Sequence, residues 1–383
     1  PGCAGLGPQG RCNGDELLRC QNGVPETTDC AASQQVCGYG GDAAGYMCAS
    51  AGDLGARAVT GVVSYEDRPV TATGLGAPTP AAARGVAVAL IRDPDVVVAM
   101  AVSADDGSFT LRHDQPDAAM LHVLAATTSS VAARPATVFL LDGRVHGFGS
   151  ASFASASSVI QDILVTESSG LAPAFNIFDD FVAGLDLLRQ PLGVPSLAPI
   201  LAHWERGSVD GTYYAGLALG IYLLGASDDD DGYDDTVILH EMGHYVEDAY
   251  GRSDSPGGYH DGSPTLPTLA WSEGFATYFA LAVRGAPLYA DANIAGGWSW
   301  DYESSVTMAD SGQPITQLMS EATVTEVLWD VGDAPDGDDD ASVNATLAQI
   351  IEVDLGYFVS GLLDRGVTGV DLVDWLDGWF VQE

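Results

Sequence analysis

Two histidines four residues apart, with a glutamate directly after the first, make up the stretch His240-Glu241-Met242-Gly243-His244. On a helix, residues four apart lie on one face, so both imidazoles can turn a ring nitrogen to a single metal ion. Glu241 stands about 100° further round the axis, beside that ion. Two nitrogen ligands with an adjacent carboxylate base are the working parts of a zinc hydrolase. The flanking residues predict the helix itself: Asp235 to cap its start, Gly251 to close it in the left-handed conformation, and Val237, Leu239, Met242, Val246 and Ala249 for its apolar faces.

Two histidines do not complete a catalytic zinc shell, which takes three protein ligands and leaves one position open. A metzincin continuation is excluded, because Glu247 and Tyr250 stand where its glycine and last histidine belong. Downstream, residues 268 to 284 predict a second helix, capped by Thr268 and stopped near Gly285, carrying Trp271-Ser-Glu273-Gly-Phe-Ala276. This segment resembles the second-helix motif of the gluzincins, the thermolysin-like and aminopeptidase-like zinc peptidases. The resemblance implies Glu273 as third ligand beside His240 and His244, Glu241 as general base, and an α+β thermolysin-like zincin domain. It also implies a tyrosine or histidine donor for the developing oxyanion, for which Tyr302 is the first choice and His260 the second.

The sequence departs from that pattern in three places. A Gly/Pro-rich insertion, residues 252 to 267, lengthens the interval between His244 and Glu273. The G-x-M-E-N motif of the aminopeptidase N type is missing, and Thr277 replaces the aspartate that orients a histidine ligand in thermolysin-like proteins.

Just before the metal helix, Ser227, Asp229, Asp231 and Gly232 follow the alternating-oxygen and tight-turn pattern of a calcium loop, although Ile238 occupies the twelfth position where a closing glutamate is expected. Asp229 and Asp231 are therefore candidate calcium ligands, against the plain reading of a solvated acidic loop. Asp336, Asp338, Asp339 and Asp340 form a second such loop.

Composition narrows the classes of function. Lysine is absent, and 14 basic residues face 53 acidic ones for a formal charge of -39. That surface repels nucleic acid and anionic membranes, and a phosphate-binding lysine loop or Schiff-base chemistry is excluded outright. No apolar run approaches the length of a membrane span. All six cysteines fall within the first 48 residues, which reads as three disulfides in an oxidising compartment, with the pairing open. This front end resembles the short cysteine-rich modules of secreted bacterial proteins, implying a secreted or cell-envelope location.

The pattern along the chain divides it into three parts: a small disulfide-rich module at 1–52, an all-β sandwich at 53–146, and a catalytic domain at 147–383 with a mostly helical C-terminal part. Gly61-Val-Val-Ser-Tyr65, Arg84-Gly-Val-Ala-Val-Ala-Leu90 and Asp105-Asp-Gly-Ser-Phe-Thr110 resemble the carboxypeptidase-regulatory, transthyretin-like domains, which are accessory in their group. Further helices are expected at 171–190, ending before Pro191, at 321–330, and within 343–382. The reading that follows is a secreted zinc-dependent endopeptidase acting on protein or peptide, with zinc as cofactor and calcium as a second candidate. A catalytically silent binding or adhesion protein and a zinc hydrolase of a non-peptide amide are the alternatives. Oligomeric state is not legible.

Overall fold

The structure is a computed structural model that describes residues 3, 6, 9–21, 23–33, 35–40, 44–49, 54–55, 57–71, 73–192, 197–251, 255–303 and 320–332. The second acidic loop and the helices expected within 343–382 lie outside these residues. The chain forms two compact units, one of residues 1–69 with 76–208, the other of 70–75 with 209–383.

The first unit begins with short antiparallel ladders stapled by three disulfides, Cys3–Cys20, Cys12–Cys37 and Cys30–Cys48. The alternating segment that follows builds two sheets. In one, Arg57–Asp67 pairs antiparallel with Ser108–His113 and Thr79–Ala82, and parallel with Ser158–Ile160 and Ile163–Val165. In the other, Ala87–Arg92 lies between Val96–Val102 and Met120–Ala126. Side chains alternate across a strand, so Val59, Val63, Val88, Leu90, Leu111, Leu121 and Val123 all fall on buried faces.

Residues 147–208 belong to this first unit. The strands at 158–165 pair with Arg57–Asp67, and helix α1, Ala172–Leu192, packs on the same strand. Phe175, Ile177, Phe178, Phe181 and Leu185 of α1 are fully buried. Arg84 bonds Asp179 at 2.7 Å and Arg134 bonds Asp186 at 2.6 Å, fixing the helix at its polar margin. The helix runs to Leu192 rather than stopping before Pro191, a shift of the size by which helix ends vary.

The second unit holds the metal motif. Tyr213–Tyr214 and Ile221–Tyr222 make a short antiparallel pair ahead of the acidic loop. Helix α2, Asp235–Tyr250, and helix α3, Pro267–Arg284, are packed together, and helix α4, Glu321–Gly332, lies on the other side of α3. A hairpin of Leu288–Asn293 and Gly296–Asp301 touches α2 and α3. No described helix is long and apolar enough to cross a membrane.

The helix ends depart from expectation at three residues. Asp235 is the first residue of α2 and Asp234 its cap position, but the Asp234 carboxylate accepts from the Ala292 N–H at 3.2 Å instead of capping. Gly251 has φ −101°, not the left-handed value, because the chain leaves α2 in an extended direction. Thr268 does not cap α3: Pro267 takes the first helical position, where its missing N–H costs nothing, and Leu266 precedes it with φ −62° and ψ 138°. Gly285 does close α3 with φ 61°.

The approach of α2 to α3 is set by a missing side chain. A Cβ at Gly243 would stand 2.5 Å from Ala276 Cα and 2.9 Å from its carbonyl oxygen, so no residue with a side chain fits without separating the helices. Gly274 gives α4 the same closeness, since a Cβ there would meet Val324 at 2.5 Å. Replacing Gly243 by alanine is expected to destabilise the fold by about 1–3 kcal/mol through overpacking, with loss of bound metal, as read by denaturant unfolding and metal analysis.

Candidate metal centre

Helix α2 places His240 and His244 on the side facing α3, and α3 returns Glu273 to them. His240 Nε2 and His244 Nε2 each lie 3.2 Å from Glu273 Oε2. Ligands about 2.0–2.2 Å from a tetrahedral zinc are separated by about 3.2–3.6 Å, so these spacings match a shared ion. The three ligand atoms all lie within 4.8 Å of one another. Glu273 Oε2 is buried and makes no hydrogen bond of good geometry although the nitrogens of His240, His244 and His260 stand 3.2–3.4 Å away, an arrangement suited to a carboxylate that shares a cation with imidazoles. The residues fit zinc: two imidazoles and one carboxylate are a standard catalytic donor set.

Electrostatics point the same way. Burial alone raises the Glu273 carboxyl, but the adjoining His240 and His244 outweigh it and hold the group below the ordinary carboxylate range. Burial lowers His244, yet Glu273, Glu241 and Glu247 together push its pKa up to about 9. The pocket is thus negative enough to gather positive charge.

Each histidine is also held from behind. His240 Nδ1 lies 3.0 Å from Thr277 Oγ, and His244 Nδ1 lies 3.4 Å from Ser272 Oγ, whose hydroxyl donates to Glu247 Oε2 at 2.6 Å. With each Nδ1–H given to a hydroxyl, Nε2 keeps its lone pair for a metal. Thr277 thus stands behind His240, within hydrogen-bonding distance of its Nδ1. The Ser272 and Glu247 relay went unread in sequence, although Glu247 falls three residues after His244 on the same helical face.

The remaining expected residues separate. Glu241 is buried next to the ligands, and its charge acts on His244 and on Tyr289. His260, from the insertion, joins the site: its Nε2 is 3.4 Å from Glu273 Oε2 and its Nδ1 is 3.0 Å from Glu321 Oε2 on α4. It stays outside the group of mutually close ligand atoms. The bond to Glu321 leads the effects that raise its pKa. Tyr302 is set among Glu321, Thr325 and Glu326, and it also acts on Tyr289. Tyr289 lies beside the histidines, its ring meeting that of His240 at 6.2 Å and 80°. Burial, and next the charge of Glu241, raise its pKa.

Asp229 and Asp231 also come together, joined by Asp291 from the hairpin, with their carboxylate oxygens within 4.8 Å of one another. Ser227 is not part of this group.

Residues 195–366 match the Mycolysin C-terminal domain, a match that points to a metallopeptidase. It covers somewhat less than half of the chain and includes His240, Glu241, His244, His260, Glu273, Tyr289 and Glu321. No curated protein and no solved structure matches.

Thr277→Val and Ser272→Ala, which remove the acceptors behind the two histidines, are each expected to weaken zinc binding roughly 10–100-fold while leaving the fold intact. Competition against a chromogenic chelator, with circular dichroism as control, measures the effect.

Proposed function

We propose that this chain is a zinc-dependent endopeptidase that hydrolyses internal peptide bonds with Glu241 as general base. The observation that carries the reading is the convergence of His240, His244 and Glu273 at 3.2 Å, with the buried Glu241 in the next helical position. The match to the Mycolysin C-terminal domain supports the same class.

His240, His244 and Glu273 would hold the ion. What zinc supplies when bound is Lewis acidity, towards a scissile carbonyl and towards water. Glu241 accepts a proton from the water as its oxygen bonds to the carbonyl carbon. The same carboxyl delivers that proton to the amide nitrogen as the carbon–nitrogen bond breaks. His260 donates from Nε2 to the oxygen on which charge develops, and Glu321 accepts from Nδ1 and fixes the ring in that direction. Tyr289 packs its ring edge-on to that of His240 and so braces this ligand from the hairpin side. The disulfides of the first unit fit an oxidising compartment, and we place the protein outside the cytoplasm on that ground.

Glu241→Gln removes the base but not a ligand. It is expected to keep one zinc per chain and to lose roughly 10²–10⁴ in hydrolysis of an unfolded protein. Full activity in that variant would rule out the assigned base, and zinc-loaded wild type without hydrolysis would rule out the peptidase. His260→Ala is expected to lower kcat by roughly 10² with zinc retained, and Glu321→Gln by less, as steady-state rates on an internally quenched peptide will show.

A further inference from the structure

We propose that Asp229, Asp231 and Asp291, with the buried carboxylate of Asp234, form a second metal site that takes one calcium ion, separate from the zinc centre. The oxygens of the first three lie within 4.8 Å of one another. Two oxygens on one calcium, each at about 2.4 Å, can be no further apart than about 4.8 Å, so the cluster is already at coordinating dimensions.

Asp234 is the independent sign that a cation belongs here. It is wholly buried, and its Oδ1 has no hydrogen-bond partner among the described residues. The groups that act on it are the Ala292 N–H and the carboxyls of Asp291 and Asp231, so it faces the cluster. A buried carboxylate oxygen left unpaired is costly, and beside other carboxylates it is costlier still. Asp231 is crowded by the carboxylates of Asp229, Asp230 and Asp291, and Asp234 by those of Asp231 and Asp291.

The loop is built to hold this geometry. The Thr212 hydroxyl donates to Asp231 Oδ2, the Asp231 N–H bonds the Leu224 carbonyl at 3.0 Å, and the Ile294 N–H bonds the Asp228 carbonyl at 3.0 Å. All the ligands are oxygen, without sulfur or imidazole, which selects a hard cation. The charge and the adaptable loop suit calcium better than magnesium, which demands a near-ideal octahedron and keeps its water. A calcium here ties three parts of the unit: the acidic loop, the start of α2, and the hairpin that carries Tyr289 against His240. The second site would thereby hold the zinc centre in shape while lying outside it.

Trp298 offers a local reporter, since its indole N–H donates to Asp291 Oδ2 at 3.1 Å. Terbium titrated into calcium-depleted, zinc-loaded full chain should emit when tryptophan is excited, and calcium should quench that emission far more effectively than magnesium. Asp291→Asn and Asp231→Asn should each weaken calcium binding at least about tenfold by calorimetry, because ligand charge sets affinity. Asp228→Asn, an exposed neighbour outside the cluster, should bind as wild type does. Trp298→Phe should lose most of the sensitised emission yet keep its calcium affinity. Should Asp291→Asn fail to fold by circular dichroism, the half-buried Asp229→Asn provides the same comparison. Absence of calcium binding at millimolar concentration, equal displacement by magnesium, or binding unchanged in the Asp231, Asp291 and Asp229 variants would overturn the site. Zinc content measured in every sample keeps failure here distinct from failure of the zinc reading.

Discussion

The metal centre depends on the close crossing of α2 and α3. Glycine at 243 lets the α3 backbone come within contact of α2 between the two histidines, and that closeness carries Glu273 Oε2 to 3.2 Å from both imidazoles. A side chain at that crossing would widen the helix pair by the breadth of a methyl group, and a zinc shell tolerates a few tenths of an ångström. Gly274 repeats the device on the far side of α3, so that α4 can bring Glu321 to His260. The candidate site is thus assembled by three helices whose spacing is fixed where side chains are missing.

The second unit gathers carboxylates that proteins usually keep in water. Glu241, Glu247 and Glu273 are buried around the histidines, and Asp231 and Asp234 are buried in front of α2. Where a hydroxyl or an imidazole reaches the carboxylate, as Ser272 reaches Glu247, burial is offset by a charge-assisted hydrogen bond. Where none does, as at Asp234 Oδ1, the buried oxygen calls for a cation, and at Glu273 Oε2 three imidazole nitrogens gather at 3.2–3.4 Å as they would around a shared ion. With no lysine in the chain and only 14 arginines, few side-chain cations are on hand to answer that demand.

Legibility in the sequence followed the range of the interactions. That His240 and His244 share a helix face was readable because four-residue spacing is a local property of a helix, and the approach of Glu273 to them was expected from the resemblance of its own short segment. Helix ends were misread where distant partners decide them: Asp235, expected as the cap, is already helical and pairs with Arg284 at 2.8 Å, and the Asp234 carboxylate in the cap position accepts from the Ala292 N–H, 58 residues away. Tyr289, Glu321 and Asp291 reach their sites only through tertiary packing. No spacing rule separates Tyr289 from Tyr302, which flank the open end of one hairpin, the first against His240 and the second among Glu321, Thr325 and Glu326. In the first unit the strand pattern was clear, but strand pairing was not, and residues 158–165 joined a sheet begun at residue 57.

The central claim is that two imidazoles from α2 and one carboxylate from α3 hold a single zinc. X-ray absorption at the zinc edge on the purified full chain tests it most directly. The account predicts one zinc per chain, with nitrogen and oxygen neighbours only at about 2.0–2.2 Å, two of them imidazoles, and loss of the ion in Glu273→Ala. Sulfur in the shell, or a zinc environment unchanged in Glu273→Ala, would contradict it.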